Sequence, residues 1–169
     1  MSKAFTREED LPDPTPSRRL TSPLPAGASN YLTPEGAVRI RADLERLLEV
    51  ERPAAAASAD PLGRQQLQAL DQRIQHLQQS LQSAVIVQPP AGRQDQVKFG
   101  AAVTVRDTGG VESRYRIVGI DEADPDRGWV SWLSPIAKAL LNAKRGQRVR
   151  LKLPAGDEEL EIVSIDAIQ

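Results

Sequence analysis

Six apolar residues, Leu67, Leu70, Ile74, Leu77, Leu81 and Ala84, recur at alternating intervals of three and four. That spacing lays one apolar seam along a helix and demands a partner helix to cover it. Upstream, Ala37, Ile40, Leu44 and Leu47 carry the same spacing, which then reaches Glu51 and Ala54. Between the two runs stands Ser58-Ala-Asp-Pro-Leu-Gly63, where proline and glycine break the helix and allow the chain to reverse. Glu35 to Ala84 is therefore expected to form an antiparallel helical hairpin, a short coiled coil with its tip at Ser58, Asp60, Pro61, Leu62 and Gly63. At 1.5 Å per residue, arms of about 25 and about 20 residues give a finger roughly 30–35 Å long.

Thr33-Pro-Glu-Gly36 opens the first arm with a capping hydroxyl, a proline at the first helical position and an acidic residue at the positive helix end. Pro53 should kink that arm or start a new turn. The polar face of the second arm is mostly glutamine: Gln65, Gln66, Gln68, Gln72, Gln75, Gln78, Gln79 and Gln82. Nucleic-acid tracking requires clustered Lys and Arg with interleaved aromatics, and this face has neither.

Past the hairpin the pattern changes. Residues 1–30 hold Pro12, Pro14, Pro16, Pro23 and Pro25 with little to bury, which predicts a disordered tail. Residues 31–87 are assigned to the hairpin, and 88–96, Gln88-Pro-Pro-Ala-Gly-Arg-Gln-Asp-Gln96, to a linker. From Val97 the apolar period becomes two, so 97–169 is a second domain. Its expected strands are Val97 to Arg106, Val111 to Ile120, Trp129 to Leu133, Arg148 to Leu153 and Glu158 to Ile165. Asp107-Thr-Gly-Gly110 is a hairpin turn, Asp121 to Gly128 a solvated loop, and Ser134-Pro135 the start of a short helix toward Gly146. The fold class is α+β, helices first and an antiparallel sheet with one helix second.

Composition excludes several functions. A net charge of −1 rules out a generically basic nucleic-acid binder. With no cysteine there is no disulfide or thiolate metal site. No apolar run approaches the ~20 residues of a membrane span, and the first ten residues lack a signal peptide's apolar core, so a cytoplasmic protein is expected. His76 stands off the seam without metal-ligand spacing and reads as a surface residue, which leaves no Ser-His-Asp triad. Gly109-Gly110, Gly119 and Gly128 fall at turns or strand ends, where they build no phosphate loop. Asp121-Glu122-Ala-Asp124-Pro-Asp126 lacks an EF-hand's spacing. No catalytic site, metal or cofactor is expected of the chain by itself.

Several stretches resemble the bacterial Gre transcript cleavage factors, the GreB branch more closely than the GreA branch. They are Leu32-Thr-Pro-Glu-Gly36, Glu51-Arg-Pro53, Val97-Lys-Phe-Gly100, Tyr115-Arg-Ile-Val-Gly119 with Asp121-Glu122, Ser134-Pro-Ile-Ala-Lys-Ala-Leu-Leu141, Pro154-Ala-Gly156 and Glu161-Ile-Val-Ser-Ile165. The resemblance covers residues 31–169. It implies a helical hairpin followed by an FKBP-like domain. It also implies docking of that domain on the rim of bacterial RNA polymerase, with the hairpin inserted in the secondary channel.

By resemblance the docking residues are Ser131, Leu133, Ser134 and Pro135, with Leu133 replacing the family's usual Asp. Cleavage-competent members carry a Gly-Asp-x-x-Glu-Asn type motif at the tip, whose carboxylates help hold the polymerase's second Mg²⁺. Here Asp60 is the sole tip carboxylate, and each arm is shorter than the family norm by roughly one heptad, ~10 Å. In this the chain looks like short-fingered relatives such as Rnk, regulator of nucleoside diphosphate kinase. The expected function is a monomeric polymerase-binding regulator of elongation that occupies the secondary channel without strong transcript cleavage. It would stand close to nascent RNA and DNA without reading them, and touch no membrane. Two alternatives stay open at this point: a cleavage factor using Asp60, and a coiled-coil interaction module with another partner.

Overall fold

The computed structural model describes residues 24–166, so most of the expected tail lies outside the described residues. Within them, the chain takes up structure earlier than its composition suggests. Strand β1, Asn30–Leu32, pairs in parallel with β2, Ala84–Ile86, which directly follows the second helical arm. Asn30, assigned to the tail by sequence, is buried. The reason is local: its side-chain amide donates to the Ser80 carbonyl at 3.0 Å and to the Ser80 and Ser83 hydroxyls at 3.2 Å.

The first arm consists of α1, Pro34–Arg46, a π-helical turn at Leu47–Glu51, and α2, Arg52–Ala56. Thr33 caps it, its hydroxyl accepting from the Gly36 N–H at 3.0 Å. Pro53 has no N–H, so an unbroken α-helix here would lose a bond. The arm instead widens by one residue just before the proline, with the Arg52 N–H donating to the Leu47 carbonyl. That insertion moves the seam. The sequence spacing points to Ala54, yet Ala54 is exposed and Ala55 is the buried residue. The second arm, α3, runs over Pro61–Ser83 without interruption. Ile40, Leu47, Ile74 and Leu77 are buried between the arms, with Leu44, Leu70 and Leu81 packed against them. All eight glutamines of the polar face are exposed.

The second half is a five-stranded sheet in the order β5-β4-β3-β7-β6. Its strands are β3, Ala102–Arg106; β4, Glu112–Val118; β5, Trp129–Ser131; β6, Arg148–Leu153; and β7, Gly156–Asp166. Helix α4, Pro135–Leu140, covers one face and ends well before Gly146. Two expectations need correction. Val97 to Ala101 is not strand: Val97 is pinned by its N–H to the Ala143 carbonyl at 2.9 Å, and Gly100 turns at φ 84°. Nor is the sheet wholly antiparallel, because β5 pairs with β4 in parallel. The connection between them makes two short 3₁₀ turns, Ile120–Glu122 and Pro125–Arg127, and so returns the chain to the same end before β5 begins.

The sheet core holds Val97, Val103, Val105, Ile117, Leu140 and Ile162, all essentially inaccessible. On the outer strand β6, Arg148, Arg150 and Lys152 stand opposite Glu161, Glu159 and Asp157 of β7. Opposite charges across the pair favour this register, and charge on an edge strand discourages pairing with another chain. Among the described residues no helix is long and apolar enough to cross a membrane.

Candidate functional site

At the far end of the helical pair the reversal is built by Asp60. Its Oδ1 accepts from the Gly63 N–H at 2.7 Å and from the Ser58 hydroxyl at 3.0 Å, which makes it the N-cap of α3. A Cβ on Gly63 would lie 2.5 Å from the Ser58 Cβ, so only glycine lets the loop close this tightly. Pro61 takes the first helical turn, and Leu62 stands out into solvent. The nearest charged pair down the arms, Arg52 Nε to Asp71 Oδ1 at 2.7 Å, lies on exposed side chains. Among the described residues, no group of three His, Asp or Glu is placed to hold a metal ion. The tip thus offers one carboxylate, already engaged in holding a helix end.

The residues marked for docking, Ser131, Leu133, Ser134 and Pro135, come together on one corner of the sheet domain. Ser131 ends β5, the outermost strand on its side, and the turn into α4 follows. The Ser131 hydroxyl accepts from the Leu133 N–H at 3.2 Å, and the Ser134 N–H donates to the Ser131 carbonyl at 2.9 Å. Ser134 then caps α4, its hydroxyl accepting from the Ala137 N–H at 3.2 Å, with Pro135 exposed at the first turn. Both serine side chains are thus used within the turn. Trp132 turns inward instead, its ring centroid 5.1 Å from that of Tyr31 in an edge-on arrangement.

A third cluster was not foreseen from sequence. The β4–β5 connection, expected to be a solvated loop, sends two acidic side chains into the joint between sheet and helical pair. Glu122 is only 5% exposed. Its Oε2 accepts from the N–H groups of Thr33 at 2.9 Å and Gly119 at 2.8 Å, and its Oε1 accepts from the Thr33 hydroxyl. The carboxylate so sits at the N-terminus of α1, where the helix end favours negative charge. Gly36 leaves the room, since a Cβ there would fall 1.8 Å from Glu122 Oε1.

Asp121 makes the matching contact to the second arm. Its Oδ1 lies 2.7 Å from His76 Nε2, and its Oδ2 accepts from the Ser80 hydroxyl. His76 is exposed, as expected of a surface residue, and has a carboxylate partner 45 residues away. A third tie runs from Arg116 Nη1 on β4 to Glu35 Oε2 on α1 at 2.7 Å. Together these contacts fix the base of the helical pair to the sheet domain. No local signal in the sequence pairs Thr33-Pro-Glu-Gly36 with Asp121-Glu122, which opens the polar run to Gly128.

Comparison with known proteins gives the family of the chain. The family model described as transcription elongation factor GreA/GreB, C-terminal part, matches residues 92–167. The chain is 37% identical to the GreB of Neisseria meningitidis serogroup B over 155 residues, covering 83% of this chain and 95% of that protein. It is 39% identical to the GreB of Xanthomonas axonopodis pv. citri, covering 84% and 94%, and 37% identical to the GreA of Thermodesulfovibrio yellowstonii, covering 79% and 94%. Among solved structures, Gfh1 of Thermus aquaticus is 26% identical over 82% of this chain and 99% of that one, at a TM-score of 0.40. The matched lengths take in both the helical pair and the sheet domain, and the chain belongs to the GreA/GreB family of transcription elongation factors.

Proposed function

We propose that the chain is a regulator of transcription elongation that binds bacterial RNA polymerase and occupies its secondary channel without strong transcript cleavage. Residues 97–169 form the docking unit, FKBP-like in fold, and Ser131, Leu133, Ser134 and Pro135 make its contact with the polymerase. Residues 31–87 are the inserted hairpin, a short coiled coil, joined through 88–96. The protein acts in the cytoplasm as a monomer and works by excluding other ligands from the channel, close to RNA and DNA but without its own contact code.

The observation that carries this reading is the state of Asp60. Holding a second Mg²⁺ calls for several oxygen ligands converging on one point. The tip supplies a single carboxylate, and one of its oxygens is occupied by the Gly63 N–H and the Ser58 hydroxyl. Both arms are 23 residues long, about 35 Å at 1.5 Å per residue.

A second reading, a cleavage factor that uses Asp60, has one observation in its favour: Asp60 is exposed at the tip. Co-purification and cross-linking with core polymerase test the first reading, and failure to bind at micromolar concentration would end it. In a cleavage assay on backtracked complexes, Asp60→Ala separates the two. It should abolish shortening of the RNA under the second reading and change nothing under the first.

A further inference from the structure

Beside the Arg116–Glu35 tie a cleft of about 470 Å³ opens between α1 and the β4–β5 side of the sheet, within the range of roughly 300–1,000 Å³ typical of small-ligand sites. Arg114, Arg116, Arg127, Trp129 and Glu35 line it. The guanidinium carbons of Arg39, Arg116 and Arg127 lie 4.8, 4.9 and 5.2 Å from the Trp129 ring centroid. Three cationic side chains on one aromatic residue, with Arg114 beside them, would repel one another unless anions stood among them.

The carboxylates present only partly meet that need. Asp124 Oδ2 is 3.5 Å from Arg127 Nε, and Asp166 Oδ2 is 3.7 Å from Arg114 Nη2, both involving arginines more than half exposed. Pairs of that kind contribute little and exchange readily. Among the described residues, Arg39 has no ion-pair partner. Arg116 is different: its side chain is 7% exposed, Nη1 is held by Glu35, and Nε is buried with no hydrogen-bond partner. A buried donor without an acceptor is rare and costly, and marks a place where an incoming oxygen is favoured. Guanidinium groups match phosphate oxygens in shape as well as charge.

We propose that this cleft is a binding site for a small polyphosphate anion, held between Arg114 and Arg127 and competing with Glu35 for Arg116. Glu35 is half exposed and turns out to solvent when the anion enters. The shared chemistry is a run of phosphate groups, supplied either by a free polyphosphate or by the tail of a nucleotide. The site is independent of the docking reading and stands on its own measurement.

That measurement is calorimetric titration of the full chain at low ionic strength, where charge pairing is least screened, with inorganic pyrophosphate and separately with ADP. Saturable binding is expected. Arg114→Gln with Arg127→Gln, both at exposed positions, should weaken it about tenfold or more, a change of at least one decade in Kd. Glu35→Gln should tighten it several-fold, because the competing carboxylate is gone. Tighter binding of ADP than of pyrophosphate supports the nucleotide source, and equal binding supports the bare polyphosphate. Absence of saturable heat with both probes overturns the proposal. So does an affinity in either variant equal to that of the parent chain, or binding of a polyglutamate peptide with neither phosphate probe.

Discussion

The two ends of the helical pair use carboxylates in different ways. At the tip one exposed side chain, Asp60, closes the reversal by capping α3. At the base two side chains from another part of the chain, Asp121 and Glu122, reach into the joint and hold Thr33, Ser80 and His76. Glu122 is buried and accepts three hydrogen bonds, while the Asp60 loop stands in solvent. The contrast separates a base held by buried bonds from a tip that stands in solvent. The direction of the helical pair relative to the sheet is tightly specified. The chemistry at its end is not.

Four substitutions would break or sharpen that contrast. Glu122→Ala should have the largest effect. It leaves the Thr33 and Gly119 N–H groups buried without acceptors, and a loss of about 3–4 kcal/mol is expected in chemical denaturation. Gly36→Ala comes next. Alanine favours a helix by about 1 kcal/mol over glycine, but the new Cβ meets a carboxylate pinned by three hydrogen bonds. Overpacking should win, with a net loss of about 2 kcal/mol in the same assay.

The tip variants should be milder. Asp60→Ala removes a helix cap and should cost about 1 kcal/mol, read as a small fall in melting temperature. Gly63→Ala should also cost about 1 kcal/mol net, because the new Cβ meets the Ser58 Cβ, which moves only with its backbone, so the exposed reversal must open slightly to admit it. If Gly63→Ala proves as damaging as Gly36→Ala, the tip is as rigid as the base and the contrast fails.

Much of this was legible in the sequence, and the parts that were not share a cause. The seam of α3 and the caps at Thr33, Asp60 and Ser134 are local patterns, set by residues within four positions of one another. The π-turn was signalled only as a disturbance at Pro53; a residue count cannot tell a kink from an inserted residue, and the seam was misplaced by one position. The parallel β1–β2 pair joins residues 54 apart, such as Asn30 and Ala84, and three-residue strands leave no periodicity to detect. Asp121 and Glu122 look like solvated loop residues because their partners on the helical pair are 41 to 89 positions away. The docking role of Ser131, Leu133, Ser134 and Pro135 rests on resemblance alone, and the structure adds that both serines are engaged inside the turn.

The central claim is that the finger enters polymerase without supplying cleavage chemistry. It is tested most directly by adding the purified chain to backtracked elongation complexes and following both binding and RNA length. The account predicts saturable binding with no accelerated shortening of the transcript, and the same result for Asp60→Ala. Rapid shortening by the parent chain that disappears in Asp60→Ala would contradict it.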